Sequence, residues 1–284
     1  MAIRNPIEWT ADKIGLVGGE RRPAHRYSRS TVAPQPLSIH RIGLDDIRDA
    51  LAKGWDDFGA SRADVAFLCL FYPVMGLVFA RWASGHEMLP LVFPLASGFA
   101  LLGPLAGVGL YEVSRRREQG LPTSWATAFK VVQSPSFGNI ILLGLLLFVI
   151  YFAWLLTAWG IYAVTLGPQP PVSTGSFLSD VFTTVQGWTM IVLGIAVGFL
   201  YACIVLVLTS VSFPMLLDRD VTLGTAIATS IRVVRANLIP MAAWGLIIAV
   251  GLAIGSIPLF IGLIVVLPLL GHATWHLYRK AVSA

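Results

Sequence analysis

The chain has 284 residues, of which 56% are hydrophobic and only 12% charged, where a soluble domain carries about 25% charged residues. Its formal net charge of +5 does not amount to a nucleic-acid-binding field, because residues 1–64 hold half of the basic residues together with nine of the fifteen acids. The two cysteines, Cys69 and Cys203, fall inside apolar stretches, which argues against a disulfide framework and reads as buried thiols.

Residues 1–42 form a polar tail with Gly18-Gly19, Pro23, Pro34 and Pro36 and no sustained periodicity; it is expected to be disordered. Residues 43–64 are read as an amphipathic juxtamembrane helix. Leu44, Ile47, Leu51, Trp55 and Phe58 share one helical face, and Asp45, Asp46, Asp49, Lys53, Asp56 and Asp57 occupy the other. Such a helix either lies on the membrane surface, with Trp55 and Phe58 meeting lipid or a partner, or docks on the ends of a helix bundle. Its acidic polar face argues against binding anionic lipid.

Residues 65–284 form the membrane domain. No Asp, Glu, Lys or Arg occurs at 131–179, 181–217 or 236–278, and a membrane span needs only about 20 apolar residues. Spans are expected at 65–82, 88–111, 137–165, 181–213, 237–255 and 258–277. The segment 181–217 is too short for two spans and a turn, so it counts once. Pro73, Pro90, Pro94, Pro104, Pro240, Pro258 and Pro268 lie in or beside these spans, where neighbouring groups can re-satisfy freed carbonyls. No signal peptide is expected, since the first long apolar run starts near Val65. The connections 112–136 and 214–236 and the chain end carry Arg115, Arg116, Arg117, Lys130, Arg219, Arg232, Arg235, Arg279 and Lys280, while 166–180 has no basic residue. That bias places both termini in the cytoplasm. The fold class is an all-α polytopic bundle of six spans with cytoplasmic amphipathic helices.

The two basic connections resemble each other. SWATAFKVVQ at 124–133 aligns without a gap with AIATSIRVVR at 226–235. In the first, Trp125, Phe129 and Val132 share a face; in the second, Leu223, Ile227, Ile231 and Val234 do. Thr222 is a candidate cap for the second helix. The pattern reads as a degenerate repeat of span, amphipathic helix, span, or as chance similarity among common residues.

Four segments carry a family resemblance: LDDIRDALAKGWDDF (44–58), LLGPLAGVGLYEVSRRREQG (101–120), LLDRDVTLGTAIATSIRVVRANLIPM (216–241) and LPLLGHATWHLYRKAV (267–282). They resemble DUF2189, a family of predicted bacterial integral membrane proteins, over roughly 37–282. More loosely, a span ending in Asp-Arg before an Ala/Ser-rich helix is similar to the membrane domain attached to some glycerophosphodiester phosphodiesterases. The resemblance implies a bacterial inner-membrane location and a topology, and no mechanism.

Two residue sets are candidates for function. His272 and His276, four apart on one helical face, could share a metal; the alternatives are an interfacial cluster with Trp275 at headgroup depth, or polar contacts with the cytoplasmic helices. Asp218, Arg219, Asp220, Arg232, Arg235 and Asn237 either hold a lipid headgroup or a partner, or serve as caps and ion pairs for helix docking. No metal or cofactor is assigned. No phosphate loop, Ser/His/Asp set or mid-span charge occurs, so neither an enzyme nor an ion-coupled carrier is expected. The reading is a non-catalytic membrane protein acting as accessory, scaffold or assembly partner of an inner-membrane complex, or else a binder or carrier of a lipid-like molecule. Its partners are membrane lipids and a protein complex in the membrane, with no nucleic acid.

Overall fold

The computed structural model describes residues 38–60, 74, 81, 86–124, 128–258 and 260–283. Most of the expected tail and, apart from residues 74 and 81, the expected span 65–82 lie outside these residues, as do Cys69 and Trp125. The description begins with strand β1 (Ser38–Ile39), which pairs antiparallel with β2 (Val282–Ser283) at the other end of the chain. Helix α1 (Leu44–Ala60) follows. Its third residue, Asp46, accepts a hydrogen bond from the Gly43 N–H at 2.9 Å and satisfies one orphan donor of the first turn.

The next run is broken by its prolines and glycines into a 3₁₀ turn (His86–Leu91), α2 (Val92–Phe99), a second 3₁₀ turn (Ala100–Leu102), α3 (Gly103–Ala106) and α4 (Val108–Glu118). Pro90, Pro94 and Pro104 supply no N–H to the ladder. Helix α4 continues past the expected end of the span at residue 111, carrying the basic run Arg115–Arg117 in its last turn. After a 3₁₀ segment (Phe129–Gln133) come α5 (Phe137–Thr165), α6 (Thr174–Thr183), α7 (Val185–Thr209), α8 (Ser212–Asp218), α9 (Leu223–Ala236), α10 (Leu238–Ser256) and α11 (Leu263–Ala281).

Among the described residues, four runs are long and apolar enough to cross a membrane: Met88–Glu118, Phe137–Thr165, Val185–Asp218 and Leu238–Ser256. The segment 181–217 is indeed one span. It starts later than expected, at Val185, because Thr184 leaves the helical conformation and caps α7 with its side chain on the Gly187 N–H. The expected last span, 258–277, corresponds to α11, which is not among the four. Its second half carries His272, His276, Arg279 and Lys280 and packs against α1 and α4.

These helices expose large apolar side chains on their outer faces. Leu142, Phe152, Leu156, Val192, Phe199, Leu246 and Ile254 all point outward, as befits lipid surroundings that are as apolar as leucine itself. What is buried includes large apolar side chains such as Leu143, Leu147, Trp154, Phe213 and Trp244 together with small and polar ones. In α1 the inward face is Ile47, Ala50, Gly54 and Asp57, whereas Leu44 and Trp55 of the expected apolar face are more than half exposed. A Cβ placed on Gly54 would stand 2.8 Å from the Ala273 backbone nitrogen, so glycine is what lets α1 and α11 run in contact. In α9 the buried set is Ala226, Thr229, Ser230, Val233 and Val234, and the Thr222 hydroxyl accepts from the Thr225 N–H at 3.2 Å as the expected cap.

The repeat is unequal in form. The partner of α9 is, over its described residues, a short 3₁₀ segment whose Phe129 and Val132 are exposed and whose Val131 is buried. Pro135 disfavours helical geometry at the residue before it and closes off extension toward α5.

Candidate functional site

The polar residues gather where α1, α4, α8 and α11 meet. The centre is Asp57, 6% exposed. Its Oδ2 lies 2.7 Å from Ser114 Oγ and 2.7 Å from His276 Nε2, and its Oδ1 lies 3.0 Å from Arg117 Nη1. Burial alone would raise this carboxyl's pKa. The hydrogen bonds from His276 and Ser114 outweigh burial and hold it below its ordinary value. An ionised carboxylate only accepts, so Ser114 donates to it. The Ser114 oxygen is then left to accept from His272 Nδ1 at 2.7 Å. His272 Nε2, fully buried, has no hydrogen-bond partner among the described residues.

Beside this cluster runs a second network. Trp275 Nε1 donates to Glu118 at 3.0 Å, and Arg279 Nε reaches the same carboxylate at 3.1 Å. Tyr278 donates its hydroxyl to Asp218 at 2.8 Å and accepts from Arg219 Nε at 3.1 Å. At the end of α1, Lys280 bridges Asp46 at 3.0 Å and Asp49 at 2.9 Å. The Gly43 N–H and then Lys280 lower the pKa of Asp46, Lys280 lowers that of Asp49, and the two carboxylates raise the lysine's.

The expected site residues therefore separate into groups. His272 and His276 share a face and both join the Asp57 cluster, His276 through Asp57 of α1 and His272 through Ser114 of α4. His272 and Trp275 are 0% and 1% exposed, turned to the Ser114 hydroxyl and the Glu118 carboxylate. Among the described residues no three His, Cys, Asp or Glu side chains are grouped to hold a metal.

Asp218 and Arg219 belong to the tyrosine network. Arg232 bonds its own helix at Ala228 and Thr229, and Arg235 is exposed away from the others. Asn237 is a staple: its amide donates to the carbonyls of His40 at 3.1 Å and Val233 at 3.0 Å and accepts from the Ile42 N–H at 2.8 Å. Trp55 and Phe58 form an aromatic pair with ring centroids 5.8 Å apart, with Trp55 exposed and Phe58 half-buried.

Sequence reasoning missed Asp57, Glu112 and Ser114. The one available signal was spacing: Asp57 continues the Ile47, Ala50, Gly54 series at intervals of three and four.

A cavity of about 350 Å³ opens between the ends of α4, α5 and α8, lined by Glu112, Arg115, Arg116, Lys130, Arg219 and neighbouring residues. Glu112, 4% exposed, accepts two bonds from Arg115 at 2.8 and 3.2 Å and faces Arg116 at 3.6 Å.

Residues 92–218 match the profile of DUF2189, described as a predicted integral membrane protein. The match takes in segment 101–120 of the sequence resemblance and the start of 216–241. It does not extend to α1 or α11, and it adds nothing to the looser likeness to phosphodiesterase membrane domains. No curated protein and no solved structure matches the chain.

Proposed function

We propose, for a chain whose residues 92–218 match the DUF2189 profile of predicted integral membrane proteins, a non-catalytic role as accessory or assembly partner of a bacterial inner-membrane complex. The observation that carries this reading is the bareness of α7. The 18-residue core of its run is 6% buried, against 33% for that of α5. Val185, Trp188, Val192, Ile195 and Phe199, each more than half exposed, recur at intervals of three and four. Knobs at that spacing interlock with a second helix. Gly194, on the same helix, has open space beside it, which permits close backbone approach.

The test is a photo-crosslinking residue at Val192 or Ile195, compared with one at Val149 on α5, in cells expressing the protein at its natural level. A stoichiometric adduct with a second protein, formed from α7 and not from Val149, supports the reading. Lipid adducts alone at all three positions overturn it. A second reading, binding of a lipid-like molecule, is favoured by the cavity beside Arg115 and Arg116.

A further inference from the structure

The cavity between α4, α5 and α8 holds four basic side chains, Arg115, Arg116, Lys130 and Arg219, against three acidic ones, Glu112, Asp218 and Asp220. The acids are unevenly committed. Glu112 is shared by Arg115 and Arg116, and a single carboxylate cannot neutralise two guanidinium groups. Asp218 is turned to Tyr278 and is also approached by Arg279 from outside the cavity. Lys130 has no partner among the described residues and is exposed at the rim. Arg219 lies 3.7 Å from Asp218 and Asp220 adds a third acid, so the lining carries one positive charge more than negative, oriented in part by the buried Glu112 carboxylate.

A second feature points the same way. The 29-residue helix α5 begins at the cavity, whose lining includes Ser134, Pro135 and Ser136. No side chain caps this helix. Ser136, at the N-cap position, instead gives its hydroxyl to the Arg219 carbonyl at 3.3 Å. The Ser136 N–H is taken by Ser134 Oγ at 3.3 Å and the Phe137 N–H by the Ser134 carbonyl at 3.0 Å. The N–H groups of Gly138 and Asn139, with the positive end of the dipole, are left for an outside acceptor. A Cβ on Gly138, in that turn, would meet nothing within 4 Å, so the backbone can be approached closely.

We propose that this cavity is a phosphate-binding site, and that its location at the ends of three membrane-spanning runs suits the phosphodiester headgroup of an anionic lipid. Guanidinium groups match phosphate oxygens in paired hydrogen bonds. An uncapped helix start supplies backbone donors to the same anion. A phosphate would replace the missing cap and balance the charge that Glu112 leaves over. Inorganic phosphate offers the same chemistry, so the experiment separates the two sources.

The full-length protein is placed in nanodiscs of phosphatidylcholine doped with phosphatidylglycerol, and lipid retained after detergent exchange is counted by native mass spectrometry. Wild type is expected to retain phosphatidylglycerol over phosphatidylcholine, and Arg115→Gln/Arg116→Gln to lose that preference, by about fivefold for each charge removed. Arg235→Gln, on an exposed arginine remote from the cavity, leaves it unchanged. Glu112→Gln removes the competing carboxylate and tightens retention, a gain that misfolding cannot imitate. Phosphatidylglycerol displaced by millimolar inorganic phosphate assigns the cavity to soluble phosphate and removes the lipid. Equal retention of both lipids by wild type, with no effect of inorganic phosphate on the protein's melting temperature, overturns the site; so does a Glu112→Gln variant that binds neither probe more tightly.

Discussion

Asp57 ties three helices through one carboxylate: Ser114 and Arg117 come from α4 and His276 from α11. Replacing it with asparagine keeps the shape, removes the charge and leaves the arginine and histidine facing a neutral amide. Losing one member of a buried ionic cluster costs about 3 kcal/mol, and Asp57→Asn is expected to lower unfolding stability by that order in a denaturant titration. Acid should act on the same group. Its folded-state pKa lies below the ordinary carboxylate value, so its contribution is complete above that value and is lost as pH falls through the folded one. Asp46 is shifted the same way by the Gly43 N–H and then Lys280, and Asp49 by Lys280. Melting temperature should therefore hold steady down to about pH 4 and drop below it, and Asp57→Asn should flatten that drop. None of this was readable one residue at a time. Asp57 stands among six other charged residues in α1, and its partners Ser114 and His276 lie 57 and 219 positions away.

At the level of helices, the sequence was informative about extent and poor about direction. The existence of α1, the single span at 185–218 and the cap at Thr222 all follow from apolar length and capping chemistry. Which face turns inward does not, because a helix in lipid has no need to hide its leucines. The apolar stripe of α1 was only partly its interface: Ile47 is buried and Leu51 and Phe58 are half-buried, but Leu44 and Trp55 are exposed and Ala50, Gly54 and Asp57 complete the inward face. Phe129 and Val132, which share a face, are both exposed. Gly54→Leu drives a branched side chain into the α11 backbone. Overpacking of this kind costs about 1–3 kcal/mol. The expected outcome is faster hydrogen exchange across 44–60, with the α5 and α7 spans unchanged; unaltered exchange in α1 would show that the helices do not meet there.

For the described chain as a whole, the notable feature is that its two ends hold each other. Ser38 and Ser283 are opposite in the β1–β2 pair, with their hydroxyls 2.5 Å apart, and the His40 N–H donates to the Ala281 carbonyl. Cysteines at both positions, in a protein whose Cys69 and Cys203 are alanine, should join on oxidation and appear as a faster-migrating band. Closing so long a loop is expected to stabilise the fold by about 2–4 kcal/mol. This contact could not be read from two serines 245 residues apart.

That clasp also constrains how the chain threads the bilayer. Two backbone segments joined by hydrogen bonds cannot face opposite compartments, so the chain between Ser38 and Ser283 crosses the membrane an even number of times. The rule applies within the chain as well. His40 is bonded both to Asn237, where α10 begins, and to Ala281, where α11 ends. If α10 carries the chain to the far side, α11 must bring it back, whatever its polar second half suggests. Parity thus supplies, for α11, the return passage that hydropathy alone leaves unassigned.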